Sequence, residues 1–118
     1  MSPRIIWSRV EEKERRVRKL LERWRGGVAV ISGAQVSHKW LILSVDARDK
    51  FPRFLEIYCG DCEYVAGPFK WAKSAFELER RERGSEEDFT YILRDESNGF
   101  TVHCGIVEAK EKSYSDLK

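Results

Sequence analysis

The run Lys19-Leu-Leu-Glu-Arg-Trp-Arg-Gly-Gly-Val-Ala-Val-Ile31 decides the fold, because the chain changes periodicity inside it. Up to Trp24 the apolar residues recur at three- and four-residue spacing, the signature of a helix that buries one face. After Gly27 the residues are branched or small and the texture is that of a strand. The Gly26-Gly27 pair between them is a helix stop.

Reading back from Gly26, the spacing predicts a helix from about Pro3 to Arg25, with Ser2 as N-cap and Pro3 at the first helical position. Ile6, Val10, Val17, Leu20, Leu21 and Trp24 fall on one stripe, and Lys13 sits within it. A four-three alternation through Ile6, Val10, Lys13, Val17, Leu20 and Trp24 also fits a short coiled-coil seam. Fewer than three heptads are present, so the stripe is expected to pack on the protein's own sheet.

Reading forward, Val28–Ile31, Lys39–Val45 and Arg53–Tyr58 are rich in branched and aromatic residues and bounded by turn formers, which predicts three strands. Arg48–Arg53 is a polar loop. Cys59-Gly-Asp-Cys62 is expected to turn Phe54–Tyr58 back onto Glu63–Ala66 as a tight hairpin. Residues 68–83 admit a helix opened by Pro68, but the alternation in Phe76-Glu-Leu-Glu-Arg80 favours a loop followed by an edge strand at about Ala75–Arg81. Phe89–Leu93 and Phe100–Val107 flank Asn98-Gly99 and should pair antiparallel. The expectation is a single α+β domain over residues 1–118: a helix at about 3–25, a β-rich region at about 28–108 and a polar C-terminal tail at 109–118. The N-terminal amphipathic helix would pack on an antiparallel meander sheet of five or six strands.

Composition narrows the function classes. The 118 residues, 42% of them hydrophobic and 36% charged, suffice for one core under a solvated surface. No apolar run approaches the roughly 18 residues of a membrane span, and the start lacks the apolar core of a signal peptide, so a cytoplasmic protein without membrane contact is expected. The net charge of +2 hides an asymmetry. Residues 1–25 carry nine basic against four acidic side chains, and the remainder is net acidic. Either the basic helix meets an anionic partner or it lies on its own acidic body.

Cys59-x-x-Cys62 is the sole metal-like spacing, and only Cys104, His38 and His103 remain to complete a tetrahedral set. His103 and Cys104 are adjacent, so on a strand they point to opposite faces. A redox dithiol belongs where a strand enters a helix, not in a β-turn. Reduced structural cysteines, no metal and no cofactor are therefore expected. The same geometry denies Cys104 and Ser37 an activating neighbour in His103 and His38, and no phosphate-binding glycine loop is present, so no catalytic residue is assigned.

Binding is the remaining role. Arg9, Arg16 and Arg23 recur every seven residues beside the apolar stripe, a row spaced about 10 Å by helical rise, with Lys19 nearby. Trp7 lies off the stripe and Trp71 follows Gly67-Pro68, so these two tryptophans are expected to be partly exposed. Tryptophan and arginine dominate protein interfaces, which makes these five residues the candidate contact for a protein partner, a second copy included. Nucleic acid on the same helix is the alternative, although the strands lack basic residues interleaved with aromatics. A zinc or thiol site at Cys59 and Cys62 ranks third.

Overall fold

The computed structural model describes the backbone of residues 3–85 and 88–117 and the side chains of residues 9–84 and 88–115. Helix α1 spans Pro3–Arg23, two residues shorter than expected, and Ser2 lies outside the described residues. Gly26 takes a left-handed φ of 92° and turns the chain. Gly27 follows it closely against the next hairpin, where a Cβ would stand 2.6 Å from the Asp46 carbonyl oxygen. Only glycine at both positions permits this passage from helix to sheet.

Nine strands follow: β1 (Val28–Gln35), β2 (Trp40–Asp46), β3 (Arg53–Gly60), β4 (Tyr64–Ala66), β5 (Lys70–Trp71), β6 (Glu77–Ser85), β7 (Asp88–Asp95), β8 (Phe100–Cys104) and β9 (Ile106–Ser113). The protein is α+β and every strand pair is antiparallel. The expected single meander of five or six strands is replaced by two sheets, ordered β5-β1-β2-β3-β9 and β4-β8-β7-β6.

The difference originates at Cys59–Cys62. This segment does not fold Phe54–Tyr58 onto Glu63–Ala66: β3 pairs with β9 and β4 with β8, so the chain steps from one sheet into the other. Asp61 does take the positive φ of a tight turn, 54°. Its partner strand steps across at the same level, where the Gly105 amide donates to the Gly60 carbonyl at 3.0 Å and the Glu63 amide to the His103 carbonyl at 2.8 Å. Residues 53–66 and 100–113 thus form one long two-stranded ribbon with a single bend, and the two sheets grow outward from its halves.

The polar tail is likewise a correction. Residues 106–113 form β9, paired with β3 along its whole length. Half of its residues are charged because β9 is a sheet edge: Val107 is buried, Ala109 and Glu111 are half-buried, and the alternate Glu108 and Lys110 face water. The segment after Pro68 contains no helix: Phe69–Trp71 runs along β1, and β6 is an edge strand as its alternation implies. The expected pairing on either side of Asn98-Gly99 is present as β7 and β8, with Gly99 at a φ of 70°.

Helix α1 lies against β9 and β6, one edge of each sheet. Val17, Leu21 and Trp24 enter a core shared with Leu43, Leu55 and Ile57 of the first sheet and Leu93, Phe100 and Val102 of the second. Leu20 of the same stripe packs half-buried at its margin. Lys13 turns outward and pairs with Glu108 of β9 at 2.9 Å. The buried Glu14 binds the second sheet: its carboxylate accepts from the Tyr91 hydroxyl at 2.8 Å and from Arg80 at 3.1 Å, with Arg18 at 3.3 Å. The helix therefore seals one of the two gaps between the sheets.

Candidate functional site

Of the arginine row, Arg9 and Arg16 are exposed on α1. Arg23 is engaged within the molecule, with its Nε 3.3 Å from Glu111 of β9, the carboxylate that also accepts the Trp24 indole N–H at 3.1 Å. Arg16 looks onto a groove of about 850 Å³ between the helix and the outer face of β3 and β9, whose walls mix Lys13 and Lys110 with Glu56, Glu108 and Glu111. Much of the basic flank is thus answered by the acidic strand beneath it. An incoming phosphate would meet three carboxylates there, so the groove carries no uniform field.

Trp71 is not placed as expected. Trp71 is buried, its ring stacked 4.8 Å from Phe100 and 5.6 Å from Phe76. Its indole N–H donates to Asp95 at 2.7 Å. The aromatic character that suggested an exposed anchor instead fills the core end left open by the short strand β5. The side chain of Trp7 lies outside the described residues.

Cys59 and Cys104 are buried side by side and Cys62 lies half-buried at the ribbon's bend, its thiol directed at the Cys59 carbonyl at 3.4 Å. The hydrogen bond to Cys104, followed by burial, holds the Cys59 thiol well above its ordinary pKa. Burial, with smaller contributions from Cys104 and Asp61, pushes Cys62 up to about 11. Both are therefore thiols and not thiolates at neutral pH. His103 points away and packs on Tyr64, 5.1 Å between ring centres, while His38 is exposed in the β1–β2 turn; there the pair is not on a strand as expected, and the Ser37 hydroxyl oxygen lies 3.3 Å from His38 Nδ1. Among the described residues no group of three His, Cys, Asp or Glu side chains is arranged to hold a metal ion.

What sequence reasoning missed is the second gap between the sheets, opposite in topology to the one α1 seals. Here β4, the edge of the four-stranded sheet, faces the end of the β1–β2 hairpin across a groove of about 420 Å³. Two backbone hydrogen bonds set its width: Ile31 amide to Phe69 carbonyl, and Cys62 amide to Lys39 carbonyl, both 2.8 Å. Ile31, Ala34, Trp40 and Leu41 wall one side and Tyr64 and Val65 the other. Around it stand apolar side chains in water: Val36 is 93% exposed, Phe69 78%, Tyr64 54% and Val65 44%. The available signal was local. Val36 and Phe69 are large apolar residues in turn segments, Gln35-Val-Ser37 and Gly67-Pro-Phe69, where no core periodicity calls for them.

No protein-family model matches the chain, and no curated protein or solved structure shows significant similarity to it. Among the described residues no helix is long and apolar enough to cross a membrane.

Proposed function

We propose that this chain is a non-catalytic protein-binding domain that docks its partner at the groove between β4 and the β1–β2 hairpin. The observation that carries the reading is the cluster of Val36, Tyr64, Val65 and Phe69, exposed together around one apolar hollow. Scattered apolar residues are ordinary on a protein surface, whereas a contiguous patch around a concavity marks an interaction site. The raised thiols of Cys59 and Cys62 stay protonated at neutral pH and so are poor nucleophiles. Arg9 and Arg16 do not line the groove and would act on a partner only through their long-range field, as a lever on the association rate.

Nucleic acid is the weaker reading, favoured by the exposure of Arg9 and Arg16 on one flank of α1. It would show as affinity falling linearly with log salt, with a slope reduced by the double change of Arg9 and Arg16 to Ala. For the protein reading, a photo-crosslinking residue is placed at Val36 and, as control, at Ser97, which is exposed in the β7–β8 turn. Adducts of discrete mass at Val36, absent at Ser97 and lost on changing Val65 and Phe69 to Asp, are expected. Equal adducts at both positions, or none at Val36, refute a docking groove.

A further inference from the structure

We propose that the occupant of this groove is a second copy of the same chain, in a two-fold dimer in which Phe69 of each copy enters the hollow of the other. The inference rests on the reading of the groove as a protein-docking surface and deepens it by naming the partner.

A two-fold interface uses the same patch on both copies, so the patch must carry both halves of the contact. This one does. Phe69 and Val36, which line the hollow of about 420 Å³, are themselves largely exposed and free to enter a facing hollow. Its lining carries little charge: Lys39 and Glu63 are its two ionic groups, and Glu63 is paired with Arg83 at 2.9 Å. A strongly charged patch would repel its own image; a sparsely charged one with an apolar centre does not.

The four sheet edges point the same way. Strand β6 carries Glu, Arg and Gly along its length, and β9 alternates charges beneath the helix. Edge β5 is two residues long and contains Lys70. Edge β4, Tyr64-Val-Ala66, has neither charge nor proline nor covering helix among the described residues. Charge, proline, cover and shortness are how folded proteins keep an edge from pairing, and the edge that bears only the last, three residues long, is the one bordering the apolar groove.

The area sets the strength. With an aromatic side chain worth 150–250 Å², the exposed fractions of Val36, Tyr64, Val65 and Phe69 amount to roughly 500 Å² per copy. Two copies bury about 1,000 Å², near the lower limit for a specific interface, so the dimer is weak and its population depends on concentration.

Sedimentation velocity on the purified chain, from about 1 μM to about 1 mM, is the test. The expected result is a rise from 13.8 kDa toward twice that mass over this range. Phe69→Asp and Val65→Lys, each at an exposed position and each checked for an unchanged far-UV spectrum and melting profile, should weaken the dimer at least tenfold. A monomer at every concentration overturns the second copy as occupant, while adducts to other proteins at Val36 would leave the docking reading standing. A dimer indifferent to both substitutions overturns the inference by placing the interface elsewhere.

Discussion

Replacing Glu14 by Leu tests the attachment of the helix to the second sheet. The Glu14 side chain is only 6% exposed and its carboxylate serves three donors: the Tyr91 hydroxyl and Arg80 on one oxygen and Arg18 on the other. The pair with Arg18 is half in water and contributes little. Orphaning the buried Tyr91 hydroxyl costs about 1–3 kcal/mol. Removing the partner of a fully buried ion pair costs about 3–5 kcal/mol, a figure discounted here because the Arg80 side chain is 23% exposed. The added apolar burial of Leu offsets part of this, which leaves a net loss of about 3 kcal/mol, a substantial share of the roughly 5–15 kcal/mol that holds a domain together. Urea unfolding at pH 7 of the parent, Glu14→Leu, Tyr91→Phe and the double variant closes a double-mutant cycle. In the Glu14→Leu background, Tyr91→Phe should recover about 1 kcal/mol, because it removes the orphaned hydroxyl. A loss below about 0.5 kcal/mol for Glu14→Leu, or an identical effect of Tyr91→Phe in both backgrounds, would show that the network does not hold the helix.

Asp95, fully buried, accepts hydrogen bonds from the Trp71 indole at 2.7 Å, the Ala75 amide at 2.9 Å and Asn98 at 2.9 Å. Asp95→Ala should therefore cost about 3 kcal/mol and Asn98→Ala no more than about 1 kcal/mol, measured by urea unfolding; equal costs would refute the ranking. Iodoacetamide at pH 7.5 should label Cys62 slowly and Cys59 and Cys104 only after denaturation, with the Cys62 rate still rising toward pH 11; rapid labelling of Cys59 in the native protein would contradict its burial. Burial and the Glu14 hydrogen bond raise Tyr91, and a hydrogen bond to Asp46 raises Tyr114 to about 12. Both folded pKa values exceed the unfolded value near 10, so their contribution is complete below about pH 10 and is lost as the pH rises through the folded values; Tyr91→Phe should flatten the fall in stability above pH 10, and an unchanged slope would refute the assignment.

How far the candidate site was legible differs residue by residue. The row of Arg9, Arg16 and Arg23 follows from helical geometry, but the engagement of Arg23 with Glu111 joins residues far apart in the chain, and nothing local announces it. Trp71 shows the opposite error. Gly67-Pro68 marks a loop, and a tryptophan after a loop reads as exposed, whereas its indole meets Asp95, Phe76 and Phe100 only because three separate elements converge on it. The groove around Phe69 and Val36 has walls from β1, β2 and β4, and no segment alone describes it.

The sequence by itself determined the helix, its apolar stripe, the stop at Gly26-Gly27, most strand positions and the pairing on either side of Asn98-Gly99. These depend on spacing and backbone preference over a few residues, which are local properties. Only the tertiary structure decided which strand pairs with which across longer distances. Cys59–Cys62 has the composition of a hairpin turn, yet β3 finds β9 and β4 finds β8, because the last two strands offer each of them a partner along its full length. The stretch from residue 109 to 113 reads as part of a polar tail in isolation and becomes the second half of β9 once the helix covers its edge and its alternate side chains meet the core. Pairing partners are chosen by the total surface buried and backbone bonds satisfied over the whole chain, and that sum exists only when the chain is folded.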